Sequence, residues 1–288
     1  MPQTINTNVQ SLNAQRNLNT AQSSLATSMQ RLSSGLRVNS AKDDAAGMAI
    51  AERMTSQVRG MNVAVRNAND GISMAQVAEG SLGKVSDSLQ RMRELSVQAA
   101  NATVTESDKE SLDKEFGELA KEIQRVLGAT SFNGKKVLAA DSGSLTFQVG
   151  ANTTSDDRID IITKNLTTDA SITVVAGTDN TGAGRSSIGS GVDATTIRSV
   201  IDNIDQALDL VNAERATLGA SQNRFDSVIA NLAVSVENQS AARGRIMDAD
   251  FASETANMSR AQILQQAGTA MVAQANQFPQ SVLSLLGR

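Results

Sequence analysis

Any chemistry done by this chain falls to Asp, Glu, Lys and Ser side chains, because it contains no Cys, no His, no Trp and no Tyr. Without Cys there are no disulfides, thiolate nucleophiles or Cys-ligated metals. Without His the commonest general base and the commonest metal ligand are missing, which excludes Ser-His-Asp and His-ligated zinc-protease chemistry. The expectation is a chain with no catalytic residue, no metal and no cofactor. Aromatics are 2% of the residues, too few for base stacking or for a large cofactor pocket. The net charge of −4 speaks against nucleic acid, which selects a basic face. One group of charges stands among apolar neighbours. Gln90, Arg91, Arg93 and Glu94 sit among Leu89, Met92 and Leu95. Arg91 and Leu95 are four apart and share one helix face. At the same spacing, Leu89, Met92 and Leu95 read as packed residues and the Arg–Glu pairs as a solvated face.

The elements that must position these residues are long helices. From Asp44 to Ala100 the apolar positions run Val58, Met61, Val65, Ala68, Ile72, Ala75, and on to Leu89, Met92, Leu95 and Ala99. Their spacing alternates between three and four, a heptad seam sustained for about six repeats. A helix of that length spans about 80 Å, more than the roughly 50 Å of a compact globule of this size. The expectation is an elongated rod. From Asp193 a second grid, Ile197 to Val236, carries apolar residues except at Arg215 and Gln222, and supplies the partner. Between them, Ser107 and Asp108 offer caps for a helix whose seam is Leu112, Phe116, Leu119, Ile123 and Val126. It is short enough to fold back, which brings Glu115 beside Arg91.

Asn133-Gly134 is a hairpin-turn signal. Leu145, Phe147 and Val149 alternate with polar residues, as do Ile159 and Ile161, and Ile172, Val174 and Val175 read as a third extended run. Residues 137–176 are expected to form a small β region, and 177–192 a loop or linker. Ala241-Ala242-Arg243-Gly244 and Pro279 are expected to break or bend helices.

Both chain ends are amphipathic and poor in acid. Residues 1–42 contain none, and their seam is Leu18, Ala21, Leu25, Met29, Leu32 and Leu36. The last segment carries Leu264, Ala267, Met271, Ala275, Phe278, Val282 and Leu285, with Arg260 the only charge between Ser259 and Gly287. Amide-rich faces suit burial in an assembly, because they hydrogen-bond without the desolvation cost of a charge. Each end lacks a partner for its stripe and is expected to order against one. Head-to-tail contacts that do not close a ring generate filaments. No apolar run approaches the ~20 residues of a membrane span, so no membrane partner is expected. Met1-Pro2-Gln3-Thr4 lacks the basic and apolar regions of a signal peptide.

The blocks Ile5-Asn6-Thr7-Asn8, Leu32 to Gly47 (LSSGLRVNSAKDDAAG), Arg245 to Asp250 (RIMDAD) and Ser259 to Gly268 (SRAQILQQAG) resemble bacterial flagellin in a short form without large outer domains. The resemblance implies a mainly α fold: an elongated rod of long antiparallel helices in coiled-coil-like packing, a small β-hairpin region, and paired terminal segments. It places an inner coiled coil at 1–43 and 245–288, rod helices at 44–136 and 193–244, and the small β region with its loop at 137–192. The implied function is a structural subunit that self-assembles into the helical filament of the bacterial flagellum for motility, with a hook-filament junction protein as runner-up. It further implies export by the flagellar secretion apparatus without a cleaved signal peptide, to the extracellular flagellum. The implied partners are other copies of the chain, the flagellar cap and hook-filament junction proteins, a secretion chaperone on the C-terminal segment, and the flagellin-sensing Toll-like receptor of hosts. Assembly falls to Leu18, Leu25, Leu32, Leu36, Leu264, Met271, Phe278, Val282 and Leu285, and receptor recognition to Gln90, Arg91, Leu95 and Glu115.

Overall fold

The computed structural model describes residues 7–286, the side chains of 278–286 excepted. Ile5, Phe278, Val282 and Leu285 therefore lie outside the described residues and side chains. The chain forms two compact units, Met1–Ser56 with Glu237–Arg288, and Gln57–Val236. In order, the elements are α1 (Val9–Ser34), α2 (Ala45–Ala99), α3 (Glu106–Ala129), β1 (Ser131–Phe132), β2 (Lys135–Lys136), β3 (Ser144–Gln148), β4 (Arg158–Ile162), α4 (Ala170–Ala176), α5 (Ala194–Met247) and α6 (Phe251–Leu286). The fold is mainly α with two antiparallel two-stranded sheets, β1–β2 and β3–β4, and α1 pairs with α6.

In the unit of residues 57–236, the seam of α2 is the core. Leu82, Val85, Leu89, Met92 and Leu95 pack with Phe116 and Ile123 of α3 and with Ile197, Ile204 and Phe225 of α5. Each such side chain contributes roughly 1.5–3 kcal/mol on burial, before conformational entropy is set against it. Gly71, which falls off the heptad grid, is nonetheless buried: a Cβ there would stand 2.8 Å from Cζ of Phe225. The missing side chain lets the ring lie against the helix backbone, where it meets Phe147 edge-on at 5.6 Å and 83°. The two polar positions of the α5 grid also find a use. Gln222 donates to Glu79 of α2 at 3.3 Å, and Arg215 lies 3.7 Å from the same carboxylate.

Thr105 caps α3, its hydroxyl accepting from the Asp108 N–H while the Asp108 carboxylate accepts from the Thr105 N–H. Asp108 thus acts as expected from the third helical position, and Ser107 has no part in the box. The β1–β2 hairpin turns through Asn133 (φ 49°) and Gly134 (φ 81°), as the Asn-Gly signal predicts. The third extended run is a correction. Residues 170–176 form a helix, capped by Asp169 accepting from the Ser171 N–H, and Ile172, Val175 and Ala176 bury at spacings of three and four. β-branched content favoured a strand, but the cap and the helical period of the buried positions prevail. The stretch 177–192 is no free linker either: Ile188 is fully buried and the Ser186 N–H donates to the Val174 carbonyl. Gly244 does not break the chain, since α5 runs on to Met247, and α6 continues past Pro279.

Candidate functional site

The terminal helices form one candidate surface. Asn8 caps α1 by accepting from the Ser11 N–H, and Gly35 ends it in the left-handed conformation at φ 71°. α1 presents Ser11, Leu18, Ala21, Leu25, Ser28 and Leu32, all buried or half-buried, at spacings of three, four and seven. The facing side of α6 is Glu254, Ala261, Gln265, Gly268, Val272 and Ala275. The helices approach closely because small residues meet large ones: a Cβ at Gly268 would stand 3.2 Å from Cδ1 of Leu18. One end of the pair is tied by the Asn8 side-chain N–H donating to the Ala275 carbonyl at 2.7 Å. At the other, Ser28 Oγ donates to Glu254 Oε2 and Arg31 Nη1 to Glu254 Oε1, both at 2.9 Å. Glu254 is 8% exposed. The hydrogen bond from Arg31, with that from Ser28, holds its carboxyl below the ordinary value, although burial works the other way.

Of the residues assigned to assembly from the sequence, Leu18, Leu25 and Leu32 lie in this contact. Leu36 falls beyond the end of α1, where it bridges Asp248. Leu264 and Met271 are not buried in this contact: they stand 53% and 60% exposed. They line an open groove of about 1020 Å³ along the pair, together with Asn17, Ala21, Ser24 and Ala267. Val9, Leu12, Met29 and Ile263 are exposed as well. Sequence reasoning missed Ser28, Glu254, Ala261 and Gly268; the signal was the seven-residue repeat of Glu254, Ala261 and Gly268 with Ala275, and of Ser28 with Ala21, which a search for large apolar side chains passes over.

The second candidate surface lies on α2 and α3. Arg91 donates from Nη1 to Glu94 Oε2 and from Nε to Glu115 Oε1, each at 2.9 Å. The side chains are about half exposed. The hydrogen bond to Glu115, then that to Glu94, raises the guanidinium further above its ordinary value. Beside them Arg93 donates to Asp205 of α5 at 2.7 Å, and exposed Gln90 donates to Ser86 at 3.3 Å. α3 does bring Glu115 to Arg91. Leu95 is a correction: at 1% exposure it belongs to the core and cannot be the apolar centre of this face.

A third cluster fixes the loop after α4. Asp113 of α3 accepts from Arg185 Nη1 and Nη2, Ser187 Oγ and the Ile188 N–H, at 2.6–3.0 Å. The guanidinium lies 5.7 Å over the Phe116 ring. Among the described residues no three His, Cys, Asp or Glu are grouped to hold a metal ion, and no helix is long and apolar enough to cross a membrane.

Comparison with known proteins gives a consistent pattern. The family model for the bacterial flagellin N-terminal helical region matches residues 5–142, and that for the C-terminal helical region matches residues 201–286. A flagellin of Halalkalibacterium halodurans is 44% identical over 282 residues, covering 98% of this chain and 99% of the relative. A flagellin of Serratia marcescens is 44% identical over 351 aligned residues, covering 99% of this chain and all of the relative. A solved structure from Vibrio parahaemolyticus, described as a flagellar hook-associated protein, shares the fold with a TM-score of 0.59 at 14% identity, over 72% of this chain and all of that one.

Proposed function

The chain belongs to the bacterial flagellin family, structural subunits of the flagellar filament and not enzymes, and from that premise we propose how its surfaces serve polymerisation. The inner coiled coil pairs residues 1–43 with 245–288, and the groove along α1 and α6 receives the same helices of a neighbouring copy. The observation that carries this is the exposure of Leu264 and Met271, two large apolar side chains left outside the α1·α6 contact. Such residues, rimmed by amides, mark a surface that a partner covers. Residues 44–136 and 193–244 with the small β region form the outer part. The flagellar cap and the hook-filament junction proteins meet these subunits at the filament ends. The subunit leaves the cell through the flagellar secretion apparatus without a cleaved signal peptide, its C-terminal segment held by a secretion chaperone. The test is Leu264→Asp. Its carboxylate stays solvated in the monomer and becomes unpaired and buried in the polymer. Circular dichroism melting is expected to be unchanged and sedimentation to show no filaments. Normal filaments would sink the groove assignment. Failure of the unmodified chain to form long filaments alone would favour the junction-protein reading.

A second reading rests on the Arg91–Glu94–Glu115 cluster: we propose that the host Toll-like receptor binds this face through Gln90, Arg91 and Glu115, and that a neighbouring subunit covers it in the filament. Leu95 then supports the face from the core and makes no contact of its own. Intact filaments are expected to signal more weakly than depolymerised protein at equal mass, and Arg91→Ala to weaken both signalling and filaments. Equal potency of polymer and monomer would exclude the covered face.

A further inference from the structure

We infer that the Ser28–Arg31–Glu254 cluster sets the register in which α1 and α6 pair. Without it, the contact does not distinguish one heptad from the next. On α1, Leu18, Leu25 and Leu32 repeat every seven residues, with Ala21 and Ser28 between them. On α6, Glu254, Ala261, Gly268 and Ala275 repeat every seven; in this antiparallel pair heptad steps set Gly268 at Leu18, Ala261 at Leu25 and Glu254 at Leu32. Gly268 takes Leu18. A slip by one heptad presents Leu18 with Ala261 or Ala275 instead, and the large-to-small pattern survives. A methyl in place of a hydrogen shifts such a contact only slightly, so apolar packing is nearly degenerate between the three registers.

The charge is not degenerate. Glu254 is nearly buried, and its two oxygens take one hydrogen bond each from Ser28 and Arg31. Slipped one way by seven, it faces Ala21 and Ser24 and has no cation. Slipped the other way, it faces Gly35 and Val38, beyond the end of α1. A buried carboxylate without its counter-ion is strongly disfavoured, and a single polar position inside a heptad seam is a known way to fix register. A competing device stands nearby. Ala249 N–H donates to the Gly35 carbonyl and Arg37 N–H to the Met247 carbonyl, so the backbone bridge at Leu36 and Asp248 also joins the two segments. Arg37 also donates from its guanidinium to the Ile246 carbonyl, and Val38, whose N–H donates to the Met247 carbonyl, is buried. A slip would cost this anchor hydrogen bonds to backbone carbonyls but would leave Glu254 a charge without its counter-ion, so the ionic contact is the larger barrier. Its consequence for polymerisation rests on the filament reading above, because a slipped pair presents Leu264 and Met271 at displaced positions.

Because the chain has no Cys, disulfide pairs report register without background. A Cβ at Gly268 would stand 3.6 Å from Cβ of Leu18, within the range of a disulfide. Leu18→Cys with Gly268→Cys therefore reports the observed register. Leu18→Cys with Ala261→Cys, or with Ala275→Cys, reports a slip in either direction. Each pair is oxidised in the full-length chain, as dilute monomer and after polymerisation, and intramolecular bonds are read by peptide mass spectrometry. With the native cluster the 18–268 bond is expected to form about a hundredfold faster than either slipped bond, the ratio that follows from an unpaired buried charge. In Arg31→Met/Glu254→Met all three are expected to form at comparable rates. The exchange Arg31→Glu/Glu254→Arg is expected to restore the preference. If the Met/Met chain still forms only the 18–268 bond, the backbone bridge sets the register and the inference fails. If no 18–268 bond forms even with the native cluster, the helix pair itself is refuted. Sedimentation of the same variants is scored separately: slipped bonds with normal filaments would uphold the register assignment and refute its link to assembly.

Discussion

Gly71→Ala pits two opposed effects against each other, and the structure decides the sign. On propensity alone, replacing a mid-helix glycine by alanine stabilises by about 1 kcal/mol. Against this, the new Cβ would stand 2.8, 3.0 and 3.2 Å from Cζ, Cε2 and Cε1 of Phe225. Carbon atoms in contact prefer about 3.5–4.0 Å, so the ring or the helix must move by roughly 0.5–1 Å. Phe225 is fully buried and held edge-on by Phe147, so it has no free direction in which to move. Overpacking of this kind costs about 1–3 kcal/mol. The expected net is a loss of about 1 kcal/mol, or roughly 2–4 °C in melting temperature for a cooperative unit of this size. Phe225→Leu alone is also destabilising, because it leaves a void and removes the edge-on contact, itself worth about 0.5–1.5 kcal/mol. In the double variant the smaller side chain admits the methyl, so the two losses are not additive and the coupling is at least about 1 kcal/mol. Denaturant unfolding followed by far-UV circular dichroism measures all four corners of the cycle, and equal slopes confirm that the unfolding reaction is unchanged. A Gly71→Ala chain more stable than the parent, or an additive cycle, would refute the claim that the glycine exists to seat the ring.

Three further outcomes follow from the charged clusters. The Glu254 carboxyl is held below its ordinary value by Arg31 first and by Ser28, so its contribution is fully present above the unfolded carboxylate value. That contribution is lost as pH falls through the lower folded value; the preference for the 18–268 bond over the slipped bonds, compared at equal pH so that the common loss of thiolate cancels, is expected to fall in acid and to depend less on pH in Glu254→Gln. Asp113→Ala leaves the Arg185 guanidinium without its carboxylate and frees the Ile188 N–H; a loss of about 2 kcal/mol is expected, with new proteolytic cleavage between residues 177 and 191 as the readout. Arg91→Ala removes exposed hydrogen bonds only, so the monomer's melting curve is expected to be unchanged while filament yield falls.

How far these clusters were legible in the sequence depended on what each residue's size was doing. The seams of α2, α3 and α5 could be read directly, because there the large apolar residue at each heptad position is also the buried one: Leu82, Leu89, Phe116, Ile204 and Phe225 all lie in the core. The Asn133-Gly134 turn was legible for a stricter reason, since it needs a left-handed backbone at two successive residues, which few residue pairs provide. The loop at 177–192 was not. Its anchors, Asp113 with Arg185, lie 72 residues apart, and no local pattern links them. The helix at 170–176 was hidden by its own β-branched residues, and only the Asp169 cap and the spacing of Ile172, Val175 and Ala176 reveal it.

The misreading of α6 has a different origin and bears on function. Leu264 and Met271 stand seven apart on one stripe, and a stripe of large apolar residues is ordinarily the buried one. Here the first contact is made by small residues, because an alanine or glycine lets the α1 leucines approach the α6 backbone. That choice leaves the large side chains of α6 unspent, at 53% and 60% exposure. A helix that packs its small residues inward and keeps its large ones outside carries two faces for two partners. The inward face is satisfied within the chain, with a buried carboxylate to mark the position. On the reading proposed above, the outward face gains its burial energy when a neighbouring copy covers it. Sequence periodicity shows that both stripes exist; only the position of α1 shows which is taken within the subunit and which is left exposed.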